Sequence, residues 1–138
     1  LRTPFGLTRN GARALLLLQQ AGLIKLKNGN SVDASVTDIT ENPKNLQFVE
    51  LEAAQIPRSI DDVDIALINT NFAMEAGLNP LKDALFLEPK DSPYANVLVI
   101  REGDENRPEI QKLVKALQSP EVKKFIEDKY QGAILPSF

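Results

Sequence analysis

Ile65-Ala66-Leu67-Ile68 is the run on which the fold class of this chain turns. It is apolar at every position, without the alternation of a half-exposed strand, and so suits a parallel strand covered on both faces. Asn69 to Ala76 follows as a helix ended by Gly77, with Pro80 in the loop beyond. Upstream, Leu46 to Leu51 reads as another strand and Ala53 to Ile60 as a connecting helix, shortened or delayed by Pro57. Strand, helix, strand is the grammar of an α/β domain, and a right-handed crossover makes the two strands adjacent and parallel.

Nearer the amino terminus, Asn10 stands where a helix from Gly11 to Ala21 would be capped, and Gly22 suits its end. Leu15 to Leu18 cover more than one face of that helix, which predicts packing on two sides. Residues 25 to 34 are polar, with Asn28-Gly29 as a turn signal, although Val32, Ala34 and Val36 leave a short strand or an irregular buried stretch open. Beyond Pro80, Ala84 to Leu87 and Ala95 to Arg101 read as strands separated by the Pro89 to Pro93 breaker. Ile110, Leu113, Val114 and Leu117 share one helical face. Ser119-Pro120-Glu121 restarts a helix whose apolar face is Val122, Phe125, Ile126 and Tyr130, and Gly132 stops it. Core packing is the ordinary reading of both faces and a partner-binding surface the other, and they are expected to lie uncovered where the segment that packs on them is missing.

The 138 residues suffice for one domain with a buried core. At 43% hydrophobic and 25% charged, the composition is that of a folded globular protein. With 16 basic and 19 acidic residues the net charge is −3 and no basic stripe exists, which argues against nucleic acid. Histidine and cysteine are absent, so the usual zinc sites, Ser-His-Asp triads and Cys-His pairs have no residues to build them, and no metal or other cofactor is expected. Glu50, Glu52, Asp61, Asp62 and Asp64 could in principle do carboxylate chemistry, but charged groups at strand ends and turns are ordinarily solvated. No third group is visible to divide acid and base roles between them. Ala12 to Leu18 is too short to span a bilayer. Leu1 is not an initiator and Met74 is the only methionine, so the chain is expected to be a processed or trimmed part of something longer, with any export signal upstream.

In an α/β sheet, ligands collect beyond the carboxyl ends of strands. Asn69 follows such a run, Asn10 and Arg13 lie at the start of the first helix, and Asn96 lies inside an apolar strand candidate, where a buried amide needs a partner. Taken singly, each asparagine has an ordinary reading as a cap or a satisfied core amide. Together, one arginine and several amides with neither nucleophile nor general base suit recognition of a small zwitterion better than its conversion.

Several ordered blocks then bear on family. Arg13-Ala14-Leu15-Leu16-Leu17-Leu18-Gln19, Asp38-Ile39-Thr40-Glu41-Asn42-Pro43-Lys44-Asn45-Leu46, Val49-Glu50-Leu51-Glu52-Ala53-Ala54-Gln55-Ile56-Pro57-Arg58, Ala66-Leu67-Ile68-Asn69-Thr70-Asn71-Phe72-Ala73 and Asp91-Ser92-Pro93-Tyr94-Ala95-Asn96 resemble the NlpA-type methionine-binding lipoproteins of bacterial ABC importers, from about Asn10 to Phe138. The resemblance implies a periplasmic-binding-protein-like α/β fold. Residues 1 to about 100 would form mainly the second lobe, with parallel strands, and about 101 to 138 the carboxy-terminal helices that return to an incomplete first lobe. It implies capture of an amino acid, with L-methionine the expected ligand, and delivery to a permease and ATPase complex. It implies residence in the periplasm or at the cell surface, with a lipid anchor in the full-length family, and no enzymatic activity. Arg13 would hold the ligand carboxylate with Asn10 nearby, and Asn69 and Asn96 would hold the head group, with Asn71 a further candidate.

Where the family usually has Asn-Asp-Pro-Thr-Asn, this chain has Gly6-Leu7-Thr8-Arg9-Asn10, so the loop before the helix is expected to differ. The family's first half is missing, which predicts a homo-oligomer or a retained upstream segment. The alternative reading is a truncated fragment that binds no ligand and acts only as a structural or interaction module.

Overall fold

Helix α1 (Gly11–Gln20) organises the first part of the chain: Ala12, Leu15 and Leu18 lie on one side of it at helical spacing and are buried. The computed structural model describes residues 2–6 (backbone), 10–29, 31–89 and 94–138. Around α1, Ile24, Leu26, Ala34 and Leu46 complete a core, with Leu16, Leu23, Ile39, Phe48 and Leu67 packed against it. The helix ends as its sequence predicts. Gly22 takes φ 72°, and the Leu23 N–H donates back to the Leu18 carbonyl at 2.9 Å.

Two small sheets flank this core. Strand β1 (Arg2–Gly6) pairs in parallel with β4 (Gln47–Leu51), with Arg2 opposite Gln47 and Gly6 opposite Leu51. Strands β2 (Lys25–Leu26) and β3 (Ile39–Glu41) pair antiparallel. The parallel ladder and its covering helix are those of an α/β fold, but the partner of β4 differs from the expected one. Ile65 to Ile68 enters no ladder among the described residues; it runs half-buried, and Leu67 packs on the core. Its apolar character reflects burial, which several backbone arrangements can satisfy. A ladder also requires an open strand edge within hydrogen-bonding distance.

The link between β4 and this run is a 3₁₀ segment, Ala53–Asp62, in place of the expected helix over 53 to 60. Pro57 lies inside it and lacks the N–H that an α-helix would require at that point. Its inward side chain is Ile56, fully buried. Helix α2 (Thr70–Glu75) packs against this segment and against α3 (Pro80–Asp83). Asn79 caps α3, its side chain accepting from the Leu81 N–H at 3.0 Å.

The chain divides into two compact units, Leu1–Leu87 and Glu88–Phe138. In the second, helix α4 (Pro108–Leu117) starts on a proline, and α5 (Pro120–Tyr130) starts on Ser119, whose hydroxyl accepts from the Val122 N–H at 3.3 Å. Gln131 and Gly132 end α5 with positive φ. Neither helix has a buried residue, so the core packing that is the ordinary reading of these faces is not seen, while the uncovered apolar surface expected with the family's first half missing is. Leu113, Leu117 and Phe125 are exposed, so these faces lack apolar cover among the described residues.

The expected strands over 84 to 87 and 95 to 101 are likewise not strands. Leu85 is 96% exposed, Val97 78% and Val99 82%. β-Propensity expresses a fit to a pleated, half-covered surface, and none covers these residues among the described ones.

Candidate functional site

The first unit brings two of the sequence-derived candidates into contact. Asn10 precedes α1 and Asn69 precedes α2, and the Asn69 side-chain Nδ2 donates to Asn10 Oδ1 at 3.3 Å. Their backbone carbonyls open the two helices, accepting from the Ala14 N–H at 2.8 Å and the Ala73 N–H at 3.0 Å. Each asparagine is thus held by its helix start while its side chain reaches the other. Both are half-buried.

Arg13 lies three residues beyond Asn10 on α1 and is half-buried, which places a fixed positive charge and a fork of donors on the same helix turn as the pair. Asn71 is on the first turn of α2 and exposed. Asn96 belongs to the second unit, where it is exposed and outside any strand. The expectation of a buried Asn96 within a strand is therefore corrected: that reading needed a sheet covering both faces of 95 to 101.

A cation, two facing amides and no nucleophile can bind a small polar molecule by hydrogen bonds and charge. The direct bond between Asn10 and Asn69 was not legible in the sequence, since a separation of 59 residues leaves no periodicity to read. An open depression elsewhere in this unit is lined by Gln19, Ile24, Lys25, Leu26, Glu41 and others, and includes none of these candidates. There, Lys25 Nζ meets Glu41 Oε1 at 2.8 Å in an exposed ion pair. Among the described residues, no helix is long and apolar enough to cross a membrane.

The pattern of the NlpA lipoprotein family matches residues 8–138. The chain is 56% identical over 115 residues to the D-methionine-binding lipoprotein MetQ of Salmonella typhi, covering 82% of this chain and 42% of that protein. It is 45% identical over 131 residues to Lipoprotein 28 of Escherichia coli, covering 94% and 48%. Among solved structures, a nutrient binding protein from Burkholderia cenocepacia bound to methionine superimposes with a TM-score of 0.85 at 50% identity, covering 99% of this chain and 58% of that one. A periplasmic substrate-binding protein of an ABC transporter from Coxiella burnetii gives 0.84 at 47%, covering 98% and 57%. The chain spans about half the length of the curated relatives it matches.

The parallel ladder, the helices over it and these neighbours define an α/β chain of the periplasmic-binding-protein-like class. Within that class, the chain belongs to the NlpA lipoprotein family.

Proposed function

We propose that this chain is part of the substrate-binding component of an ABC importer, capturing an amino acid, methionine first, and handing it to a membrane permease driven by an ATPase. The observation that carries this reading is the juxtaposition of Asn10 and Asn69 beside the helix turn that bears Arg13. A guanidinium suits an α-carboxylate and facing amides suit an α-ammonium, so the set is complementary to an amino acid zwitterion. The names of the relatives support methionine as the ligand. On this reading Arg13, Asn10 and Asn69 hold the head group, Asn71 adds to it, and the protein binds without catalysing. Residues 1 to about 100 belong mainly to one lobe, and about 101 to 138 to helices that return to the other. The mature protein works in the periplasm or at the cell surface, anchored by lipid.

Titration of the ¹⁵N-labelled chain with methionine, followed by NMR, tests this. Saturable shifts should centre on the amides of Asn10, Arg13 and Asn69. Shifts confined to other parts of the chain would remove this site, and saturable binding absent altogether would favour the reading as a structural or interaction fragment.

A further inference from the structure

Asn10 and Asn69 both occupy the cap position of a helix, and neither side chain makes the capping bond. Asparagine at that position ordinarily accepts from an N–H of its own first turn. Asn79 does so on α3 and Ser119 on α5, so this chain uses local caps where nothing competes. At α1 and α2 the two amides are turned toward each other instead.

An amide carries one oxygen acceptor and two N–H donors. The bond between them uses the Asn10 oxygen and one Asn69 N–H, and neither side chain has another hydrogen bond among the described residues. What remains is a donor group on Asn10 and an acceptor oxygen on Asn69. Turning Asn69 alone would set oxygen against oxygen. Turning both would exchange the two polarities, but Arg13 shares the α1 turn with Asn10, so the anionic end of a zwitterion belongs on the α1 side, where a donor complements it.

We infer that Asn10 is a positioning residue for Asn69: by accepting from Asn69 Nδ2, it holds the Asn69 oxygen as the acceptor for an α-ammonium and keeps its own N–H groups for the carboxylate. This rests on the proposed amino acid binding. It assigns opposite ends of the ligand to two residues of the same type, and it makes discrimination for the ammonium depend on a residue that does not touch it.

The test compares methionine with 4-(methylthio)butanoate, which lacks only the ammonium, by NMR titration of the whole chain and its variants. The unsubstituted chain should prefer methionine by about tenfold or more, the worth of a hydrogen bond to a charged group. Asn10→Ala should cut that preference to about threefold or less as the held orientation is lost, with the rest of the spectrum unchanged. Asn10→Asp keeps an acceptor oxygen for Asn69 and should retain or raise the preference, since its charge weakens the anionic butanoate more than the zwitterion. Full preference in Asn10→Ala, or its loss in Asn10→Asp, would overturn the inference. Equal binding of both probes by the unsubstituted chain would overturn it while leaving amino acid binding intact. Binding of neither probe up to its solubility limit would overturn the proposed function itself, and the inference with it.

Discussion

The buried Leu26 donates its backbone N–H to Gln19 Oε1 at 2.8 Å, tying the last turn of α1 to strand β2. The other end of the same amide donates to the Gly29 carbonyl at 2.7 Å, so one side chain closes the loop on both sides. Gln19→Ala leaves the Leu26 N–H without a partner beside the core, which should cost about 1–3 kcal/mol. Gln19→Glu keeps the acceptor for Leu26 but not the donor for Gly29, and should fall between the two. Urea unfolding checks the order, and equal stability of all three chains would show that water replaces both bonds.

Arg13 should dominate the electrostatics of ligand binding. Arg13→Ala is expected to weaken methionine binding by about tenfold or more, because charge-assisted hydrogen bonds to a carboxylate are among the strong ones. Arg13→Lys should recover only part of this, lacking the planar fork. Unchanged affinity in both variants, read by NMR titration, would remove Arg13 from the site.

The acid limb of stability should trace in part to Asp38. Its carboxylate accepts from the Ser35 N–H at 2.9 Å and the Ser35 hydroxyl at 2.8 Å, and these bonds, the backbone one first, hold its pKa below the ordinary value. A depressed folded pKa gives stability that is present above the unfolded pKa and lost as pH falls through the folded one, here below about pH 4. Asp38→Asn should flatten this part of the profile in thermal unfolding across that window. Lys25, raised by its hydrogen bond to Glu41, carries the opposite sign: its contribution is present below about pH 10 and is lost at higher pH. An identical acid slope in Asp38→Asn would assign the loss to other carboxylates.

Leu85, Val97 and Val99 predict the behaviour of the chain at high concentration. Apolar side chains this exposed, on segments outside any ladder, bind environment-sensitive dyes and bring copies together. Light scattering should show species larger than one chain. The double substitution Val97→Lys with Val99→Glu should shift them toward the single chain and lower dye fluorescence. A monodisperse single chain at all concentrations, without dye binding, would contradict this.

The elements legible beforehand are those whose signals act within a turn or two. Asn10, the leucines and Gly22 mark both ends of α1, and Ser119-Pro120 marks the start of α5 at the residue where it occurs. Strand β1 has no local signal, because Pro4 and Gly6 both weigh against a strand and its partner β4 lies far along the chain. Strand β2 is two residues long, too short for an alternation to show. For Ile65 to Ile68, half-burial agrees with the apolar run, but ladder membership did not follow from it.

Residue identity along the chain sets the α/β class, the family, and the residue types available for a site: amides and an arginine, with no histidine or cysteine. It also placed Asn10 and Asn69 at helix starts, because capping preference is a local property. Contact between segments far apart in the chain turns these two side chains away from their own helices and toward each other. A local cap and a distant amide compete for the same atoms. Residue type sets the strength of the local option, but whether the distant partner arrives within hydrogen-bonding reach depends on how α1 and α2 come together.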